Sequence, residues 1–364
     1  FEPITPGTVK LYTCGPTVYD TAHIGNFRTF LFEDLLKRFL ILKGYEVYHV
    51  MNITDVDDKT IKRANKEGMT INELTLRYTK EFMNDIKSLK ILPADKYPRA
   101  TDHIAEMIQM IQTLEESGYA YETKDHSVYF RLDSYDSYGQ LTKIDLTKQR
   151  STERIINDEY SKDNPQDFAL WKAWDDEDGK VFWESPWGRG RPGWHIECSA
   201  MSIKYLGNHF DIHCGGVDNI FPHHENELAQ SVSATKGLFV NYWMHSEYLH
   251  IQGDKMSKTL GNYHKISDLI SEGFTAEEIR FTLLSAHYRS KLNFSLNQNQ
   301  EARTAIQRIT DVQQRLFELK DSAQTESSMP DEFEEFVAAL DNDLDTPKAF
   351  AIFFGWIRSM NNLL

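Results

Sequence analysis

Residues 9–16, VKLYTCGP, and residues 46–53, EVYHVMNI, flank a helix-like stretch, and these three segments together decide the fold. Side chains alternate in character up to Cys14, which predicts a strand that ends there. Apolar residues recur at helical spacing over 27–42, and Gly44 follows where a C-terminal cap is expected. A strand, a helix and a second strand over this distance predict a parallel pair with a right-handed crossover. Ligands bind at the carboxyl ends of the strands in such sheets, where Cys14 must lie.

The remaining chain predicts an insertion, the second half of the same sheet and a helical bundle. Helical spacing dominates residues 60–120, and a strand is expected near 127–132, followed by a polar stretch that has no clear pattern. The second half is predicted to contain a strand at 210–213, a helix at about 222–235, a strand at 242–251 and helices from Gln298 onward. The fold class is therefore α/β with a parallel sheet and an insertion, followed by an α-helical bundle.

The composition limits the class of protein. A chain of 364 residues, 40% of them hydrophobic and 26% charged, is typical of a globular protein and excludes a disordered or collagen-like chain. The longest apolar run, 349–357, is far shorter than the roughly 20 residues that span a bilayer, so no membrane partner is expected. A net charge of −15 disfavours non-specific coating of nucleic acid, although local patches can still bind tRNA. Three cysteines are too few for a disulfide framework and predict reduced thiols in the cytoplasm.

Metal-ligating residue types are concentrated in one part of the chain. Seven of the 13 histidines and two of the three cysteines lie within residues 195–250. His223 and Glu227 stand four residues apart in a predicted helix, so they share a face and can bind one cation. Cys198 can supply a sulfur ligand, and Cys14 another from the end of the first strand. An alternative stays open, in which the histidines are hydrogen-bonded core or surface groups and the cysteines are small buried hydrophobic residues.

Three short motifs suggest nucleotide binding. HIGN at 23–26 directly precedes a helix, whose N-terminus favours phosphate. KMSKT at 255–259 carries two lysines that can neutralise ATP phosphates, and GGVD at 215–218 can admit an adenosine, with an aspartate for the ribose hydroxyls. Taken singly, these motifs fit an ordinary cap, a solvated surface and a tight turn equally well.

The motifs together resemble a known family. HIGN, GGVD and KMSKT in this order resemble the class I aminoacyl-tRNA synthetases. Within that class, four longer segments resemble cysteinyl-tRNA synthetase: TCGPTVYD at 13–20, NITDVDDK at 52–59, GWHIECS at 193–199 and FPHHENE at 221–227. The similarity runs from about residue 8 to about residue 295 and is weaker in the helical remainder.

The resemblance implies roles for particular residues. It implies one Zn²⁺ per chain, held by Cys14, Cys198, His223 and Glu227. It implies ATP as a substrate with Mg²⁺. The implied catalytic residues are His23, Asn26, Lys255 and Lys258, and the implied ATP-binding residues are Gly25, Gly215, Gly216, Asp218 and Lys258. The implied cysteine pocket includes Thr17 and Trp194, and the histidines expected around the site are His195, His213 and His224.

The resemblance also implies a reaction. L-cysteine is expected to be activated by ATP to cysteinyl-adenylate and transferred to the 3′-terminal ribose of tRNA(Cys), by a monomeric enzyme. Zinc is expected to bind the substrate thiolate and so to exclude serine, which shape alone rejects only about 10- to 200-fold. Asn26 and Thr259 stand where the class usually has His and Ser. Two alternatives are a related cysteine ligase that acylates an aminosugar in mycothiol synthesis and a non-catalytic zinc- and nucleotide-binding relative.

The implied organisation is a Rossmann-like class I catalytic domain followed by a tRNA-binding helical domain. The helical pattern stops before such a domain would be complete, which predicts a truncated C-terminal part. The expected boundaries are a catalytic domain at 1–300, with sheet halves at about 1–100 and 191–250, an insertion at about 101–190, a lysine-loop region at about 251–297, and the start of the helical domain at 301–364.

Overall fold

The structure is a computed structural model that describes residues 1–143, 166–256, 262–319 and 329–363. Within them the strands are β1 (Thr8–Thr13), β2 (Glu46–Met51), β3 (Ala120–Glu122), β4 (Val128–Phe130), β5 (Phe168–Ala173), β6 (Trp183–Ser185), β7 (Gly188–Pro192), β8 (Phe210–Gly216), β9 (Val240–Ser246), β10 (Leu249–Ile251), β11 (Asp254–Lys255) and β12 (Leu292–Phe294). The α-helices of the same residues are α1 (Ile24–Leu42), α2 (Asp58–Glu67), α3 (Ile71–Ser88), α4 (Ile104–Glu116), α5 (Trp194–Leu206), α6 (Val217–Asn219), α7 (Glu225–Thr235), α8 (Ile266–Ser271), α9 (Ala276–Leu284), α10 (Asn299–Leu319), α11 (Asp331–Asp341) and α12 (Thr346–Leu363).

The chain forms two compact units, each built from several segments. The first unit consists of Phe1–Thr21, Gly44–Met83 and Pro93–His245. The second unit consists of Ala22–Lys43, Asn84–Leu92 and Ser246–Leu364. Among the helices that the structure describes, none has the length and apolar character needed to cross a membrane.

The central sheet of the first unit has the order β2-β1-β8-β9, with β1 parallel to both of its neighbours. The predicted parallel pair is therefore confirmed. Thr13 lies opposite both Met51 and Cys214, so β1 and β2 end level with each other and β8 runs two residues further. Cys14 and Gly215 consequently lie at the carboxyl edge of the sheet, where parallel sheets bind ligands.

A second sheet, with the order β3-β4-β5-β7-β6, occupies the insertion and is antiparallel throughout. Its core includes stacked Phe130 and Phe168 rings, whose centroids are 4.9 Å apart. Sequence analysis predicted β4 but missed β5, β6 and β7. The last of these reads GRGRP, and glycine and proline are depleted from strands because they weaken or remove ladder interactions. Long-range pairing rather than local preference forms it.

A buried ion pair joins β7 to the turn between β5 and β6. Arg191 donates from Nε to Asp178 Oδ1 at 2.8 Å, and the two side chains are only 5% and 4% exposed. The guanidinium also pairs with Asp58 at the start of α2. On the same strand, Arg189 pairs with Glu184 at 2.9 Å, but these two side chains are 61% and 70% exposed.

The second unit contains α1, the sheet β11-β10-β12 and the helices from α8 onward. The predicted single strand at 242–251 is wrong, because β9 and β10 belong to different sheets. The backbone between β9 and β10 forms hydrogen bonds with other residues of the second unit. The Glu247 N–H donates to Tyr288 O at 2.7 Å, and Arg28 Nε donates to Glu247 O at 3.0 Å. The helices that follow confirm the expected class, a parallel α/β core with a helical C-terminal part.

We predict unequal effects of two arginine substitutions on β7. Arg191→Gln leaves a buried carboxylate without its partner and is expected to lower the free energy of unfolding by about 3–5 kcal/mol. Arg189→Gln removes an exposed pair and is expected to lower it by less than about 1 kcal/mol. Urea denaturation measures both. Equal, small effects would contradict the importance of the buried pair.

Candidate metal centre

Four side chains from distant segments meet at the carboxyl edge of the central sheet. Cys14 follows β1, Cys198 lies on α5, His223 precedes α7, and Glu227 lies on α7. One ligand atom from each of the four lies within 4.8 Å of the others. Cys14 is half-buried and the other three are fully buried. Two sulfurs, one imidazole and one carboxylate thus form a group that can hold a metal ion.

The local backbone around His223 differs from the predicted continuous helix. A π turn at Ile220–His224 comes first, and α7 begins only at Glu225. Pro222 has no backbone N–H and restricts the chain before it, so the regular helix starts later than the pattern suggested. The predicted shared face is nevertheless present, because His223 Nε2 lies 3.0 Å from Glu227 Oε1.

Two further histidines orient these ligands. His195 Nδ1 lies 2.9 Å from His223 Nδ1, which leaves Nε2 of His223 directed toward Glu227. His213 Nε2 lies 2.9 Å from Glu227 Oε2, while the other carboxylate oxygen faces His223. Hydrogen bonds of this kind fix the ring and carboxylate orientation of metal ligands. The structure thus places His195 and His213 around the four-residue group.

Electrostatics favour charged side chains in this buried group. Burial raises the pKa of Glu227, but His213 and His223 outweigh it and bring the pKa down to about 2. Burial lowers the pKa of His223, but Glu227 and Cys198 outweigh it and raise the pKa to about 10. A hydrogen bond with Cys14 lowers the pKa of Cys198 to about 6, against the effect of burial. Carboxylate and thiolate are the forms that bind a metal, whereas the His223 imidazole must lose its proton to bind one.

A second grouping uses some of the same atoms. Cys14, His213, His224 and Glu227 also offer ligand atoms within 4.8 Å of one another. His224 Nε2 lies 3.3 Å from Cys14 Sγ, and its Nδ1 lies 2.8 Å from His245 Nε2. The first group contains two sulfurs, whereas the second contains one. The assignment of the first group as the metal ligands stays a prediction.

A cavity of about 390 Å³ in the first unit adjoins this centre. Thr17, Trp194 and His195 line it, together with Lys172 and Asn226. The Trp194 ring stacks on His223 with centroids 4.2 Å apart and is 42% exposed, so it has open surface beside a ligand imidazole. Both residues predicted for a substrate pocket thus line one cavity.

The first predicted phosphate motif caps α1 in the second unit. His23 Nδ1 accepts from the Asn26 backbone N–H at 3.3 Å, and Asn26 Oδ1 accepts from the His23 backbone N–H at 3.1 Å. With Nδ1 accepting, the His23 ring proton lies on Nε2, which can donate outward. A Cβ on Gly25 would lie 2.8 Å from the Met256 side chain, so chain segments approach each other closely here.

The lysine motif is described in part. Lys255 ends β11, whereas Lys258 lies outside the described residues. Two contacts lie beside the start of α1: Met256 of the motif lies against Gly25, and the Ile24 N–H donates to His264 O at 3.0 Å. The start of α1, Met256 and the segment after the lysine motif therefore meet within the second unit.

The glycine pair lies at the carboxyl end of β8, in the first unit. Gly215 faces His224, and a Cβ there would lie only 2.8 Å from the ring carbon Cε1. The Gly216 N–H donates to Asn219 Oδ1 at 3.0 Å, and Asp218 lies in α6 directly after it. This arrangement is a tight strand-to-helix turn, and its predicted contact with adenosine stays a prediction.

Sequence reasoning missed the roles of two residues near the site, Glu225, which is buried, and His245, which is half-buried. The Glu225 carboxylate accepts from the backbone N–H groups of Gly139, Leu141 and Thr142 at 2.9–3.1 Å, which anchors an insertion turn to the start of α7. His245 was only counted among the histidines, but it bonds to His224. Glu225 lies inside the quoted FPHHENE segment, but i,i+4 spacing does not single it out.

Comparisons with known proteins show which family the chain is similar to. The profile of the tRNA synthetases class I (C) catalytic domain matches residues 1–304. The cysteine–tRNA ligase of Chlamydia muridarum (strain MoPn / Nigg) is 51% identical over 362 residues, covering 98% of this chain and 76% of that protein. The cysteine–tRNA ligase of Brachyspira hyodysenteriae (strain ATCC 49526 / WA1) is 48% identical over 372 residues, covering 99% and 78%.

The fold also matches solved structures. Mycobacterium tuberculosis methionyl-tRNA synthetase in complex with methionyl-adenylate superposes with a TM-score of 0.69 at 15% identity, covering 97% of this chain and 82% of that one. A putative arginyl-tRNA synthetase from Campylobacter jejuni gives a TM-score of 0.62 at 12% identity, covering 98% and 85%. At these identities the likeness concerns the fold alone.

We predict that Co²⁺ binding will distinguish the two groupings of ligands. Co²⁺ bound to the first group should show a charge-transfer absorption of two thiolates, and Cys198→Ser should reduce it by about half. His213→Ala should leave the two-thiolate absorption in place. The reverse pattern, with Cys198→Ser silent and His213→Ala abolishing binding, would assign the metal to the second group.

Proposed function

This chain belongs to the cysteine–tRNA ligases, a class I synthetase family, and on that premise we propose that it charges tRNA(Cys) with L-cysteine. The reaction has two steps: ATP activates the cysteine carboxylate as an adenylate with release of pyrophosphate, and the acyl group then passes to the 3′-terminal ribose. The observation that carries the proposal is the meeting of Cys14, Cys198, His223 and Glu227 beside a cavity. We propose that the protein carries out this reaction in the cytoplasm as a monomer.

We infer that the metal is zinc, from the chemistry of the donor set. Thiolate, imidazole and carboxylate are the usual zinc ligands, and four of them normally surround the ion tetrahedrally. Neighbouring donors of such a shell lie about 3.5 Å apart. Cys14 Sγ and His223 Nε2 lie 3.9 Å and 3.0 Å from Glu227 Oε1, so the residues fit. When bound, zinc would offer a soft site for a thiolate and a much poorer one for a hydroxyl.

The residues of the cavity would bind the rest of the amino acid. Trp194 exposes its ring beside His223 and limits the space for a side chain next to the centre. Thr17 lies opposite Thr54, where the loop after β1 pairs with the segment after β2. These positions support a pocket in which a small side chain reaches the ligand group, since both residues line the cavity.

Activation would depend mainly on positioning and charge. The N-terminus of α1 presents backbone N–H groups and a positive dipole, which favour phosphate oxygens. We propose that His23 donates from Nε2 to ATP and that Lys255 and Lys258 neutralise the phosphates, which carry Mg²⁺. Asn26 uses its Oδ1 for the helix cap, and its amide N–H groups are the donors it would offer to phosphate. Gly25 keeps this turn open to close approach.

The adenosine would be bound by the turn after β8. Gly215 and Gly216 carry no side chains that would block a nucleoside, and Asp218 can accept from ribose hydroxyls. Asn219 fixes the turn by accepting from Gly216 N–H. This assignment rests on the residue types and on their place at the carboxyl end of a parallel strand.

We predict ATP–pyrophosphate exchange that requires cysteine and zinc. The zinc-loaded protein should exchange with cysteine and at least about 200-fold less with serine, because shape alone gives at most that factor. Chelation should abolish exchange, and added Zn²⁺ should restore it. His209→Ala is the matched control and should exchange normally, because His209 is half-buried and bonds to Asn241 outside the centre.

The second step needs a separate readout. Charging of a tRNA(Cys) transcript, with no acylation of an aminosugar acceptor, supports the proposal. Exchange with acylation of an aminosugar instead would favour the related ligase. A folded, zinc-loaded protein without exchange would overturn the activation step.

A further inference from the structure

We propose that Asn52 and Thr54 are positioning residues for the metal centre, although neither is a ligand. Together they link the chain segment of one ligand cysteine to that of the other through a relay of buried hydrogen bonds. The inference rests on the proposed metal centre and adds the residues that hold its two thiols in place.

The relay consists of three hydrogen bonds. The backbone N–H of Gly15 donates to Asn52 Oδ1 at 2.9 Å. Asn52 Nδ2 donates to Thr54 Oγ1 at 3.1 Å, and Thr54 Oγ1 donates to Glu197 Oε2 at 3.1 Å. Asn52, Thr54 and Glu197 are 1%, 2% and 0% exposed, so water does not compete for these groups.

The direction of the relay follows from its first member. A backbone N–H can only donate, so the Asn52 oxygen must face Gly15 and the amide nitrogen must face Thr54. The Thr54 hydroxyl has a single proton, and since it accepts from Asn52 it directs that proton to Glu197. Each side chain therefore has one defined orientation.

The two ends of the relay adjoin the two ligand cysteines. Gly15 directly follows Cys14, and Glu197 directly precedes Cys198. Among the described residues, Thr54 is the one hydrogen-bond donor to the Glu197 carboxyl group, whose second oxygen is buried without a partner. Loss of the Thr54 hydroxyl would thus leave that group unpaired next to Cys198.

The backbone around the relay leaves little room for adjustment. Thr54 N–H donates to Pro16 O at 3.1 Å, and Val18 N–H donates to Thr54 O at 3.0 Å, so the two segments are paired on both sides. A Cβ at Gly15 would overlap the carbonyl oxygen of Asn52. The Cys14 segment therefore packs on residues 52–54, so a change at these residues alters the position of the Cys14 sulfur.

The experiment compares zinc affinity in four proteins without cysteine or ATP. Chelator competition is measured for wild type, Thr54→Val, Thr54→Ser and Thr75→Val. Thr54→Val keeps the shape and removes the hydroxyl, and we expect zinc to bind about 10- to 100-fold more weakly. Thr54→Ser keeps the hydroxyl and should bind as wild type does. Thr75 is a buried threonine on α3 at 1% exposure, outside the relay, so Thr75→Val should also bind normally.

Urea denaturation of the metal-free proteins separates positioning from general stability. The inference is overturned if Thr54→Val binds zinc as tightly as wild type does, or if Thr54→Ser fails to restore the affinity. Either result holds whatever the unfolding midpoint of the variant. If Thr54→Val does not fold, Thr54→Ala is expected to show the same loss of affinity, and normal affinity there also overturns it. A wild-type chain that binds no zinc would overturn the metal centre and this inference together.

Discussion

The burial of the Glu227 carboxylate is the constraint on which the site depends. A charge removed from water is costly unless it is paired, and this carboxylate is met by His223 on one oxygen and by His213 on the other. The two thiols lie beside it, and Cys198, whose pKa is lowered to about 6, adds negative charge when it ionises. Such a group is most stable around a cation, and the outer histidines then hold each ligand in its binding orientation.

The register of the parallel strands brings the residues of this site together. Parallel pairing of β1 with β2 and β8 aligns their carboxyl ends, so that Cys14, Asn52 and Gly215 lie at one edge although they are far apart in sequence. Helices α5 and α7 then bring the remaining ligands to the same edge, and an insertion turn is anchored to α7 by Glu225. Selection of a thiol over a hydroxyl needs such a fixed group, because the two differ too little in shape.

Sequence reasoning reached the parts of this arrangement that have a local signature. The spacing of His223 and Glu227 predicted their contact, alternation predicted β1, and a β-rich stretch predicted β2, because these signals arise within a few residues. Residue type and position made Cys14 and Cys198 candidate sulfur ligands, but only resemblance to a family joined them to one zinc site, since nothing local relates two residues that are 184 positions apart. The strands β5 to β7 and the relay through Thr54 were not predicted, because they arise from long-range pairing and from side chains that only the folded chain brings together.

We propose that the metal centre binds the substrate thiolate through its sulfur, and X-ray absorption at the zinc edge can test this. Zinc–sulfur ligands are recognised at about 2.3 Å and can be counted. We expect two sulfur ligands on zinc in the zinc-loaded protein alone, three after addition of cysteine, and two after addition of serine. A sulfur count that stays at two in the presence of saturating cysteine would contradict binding of the substrate thiolate to zinc.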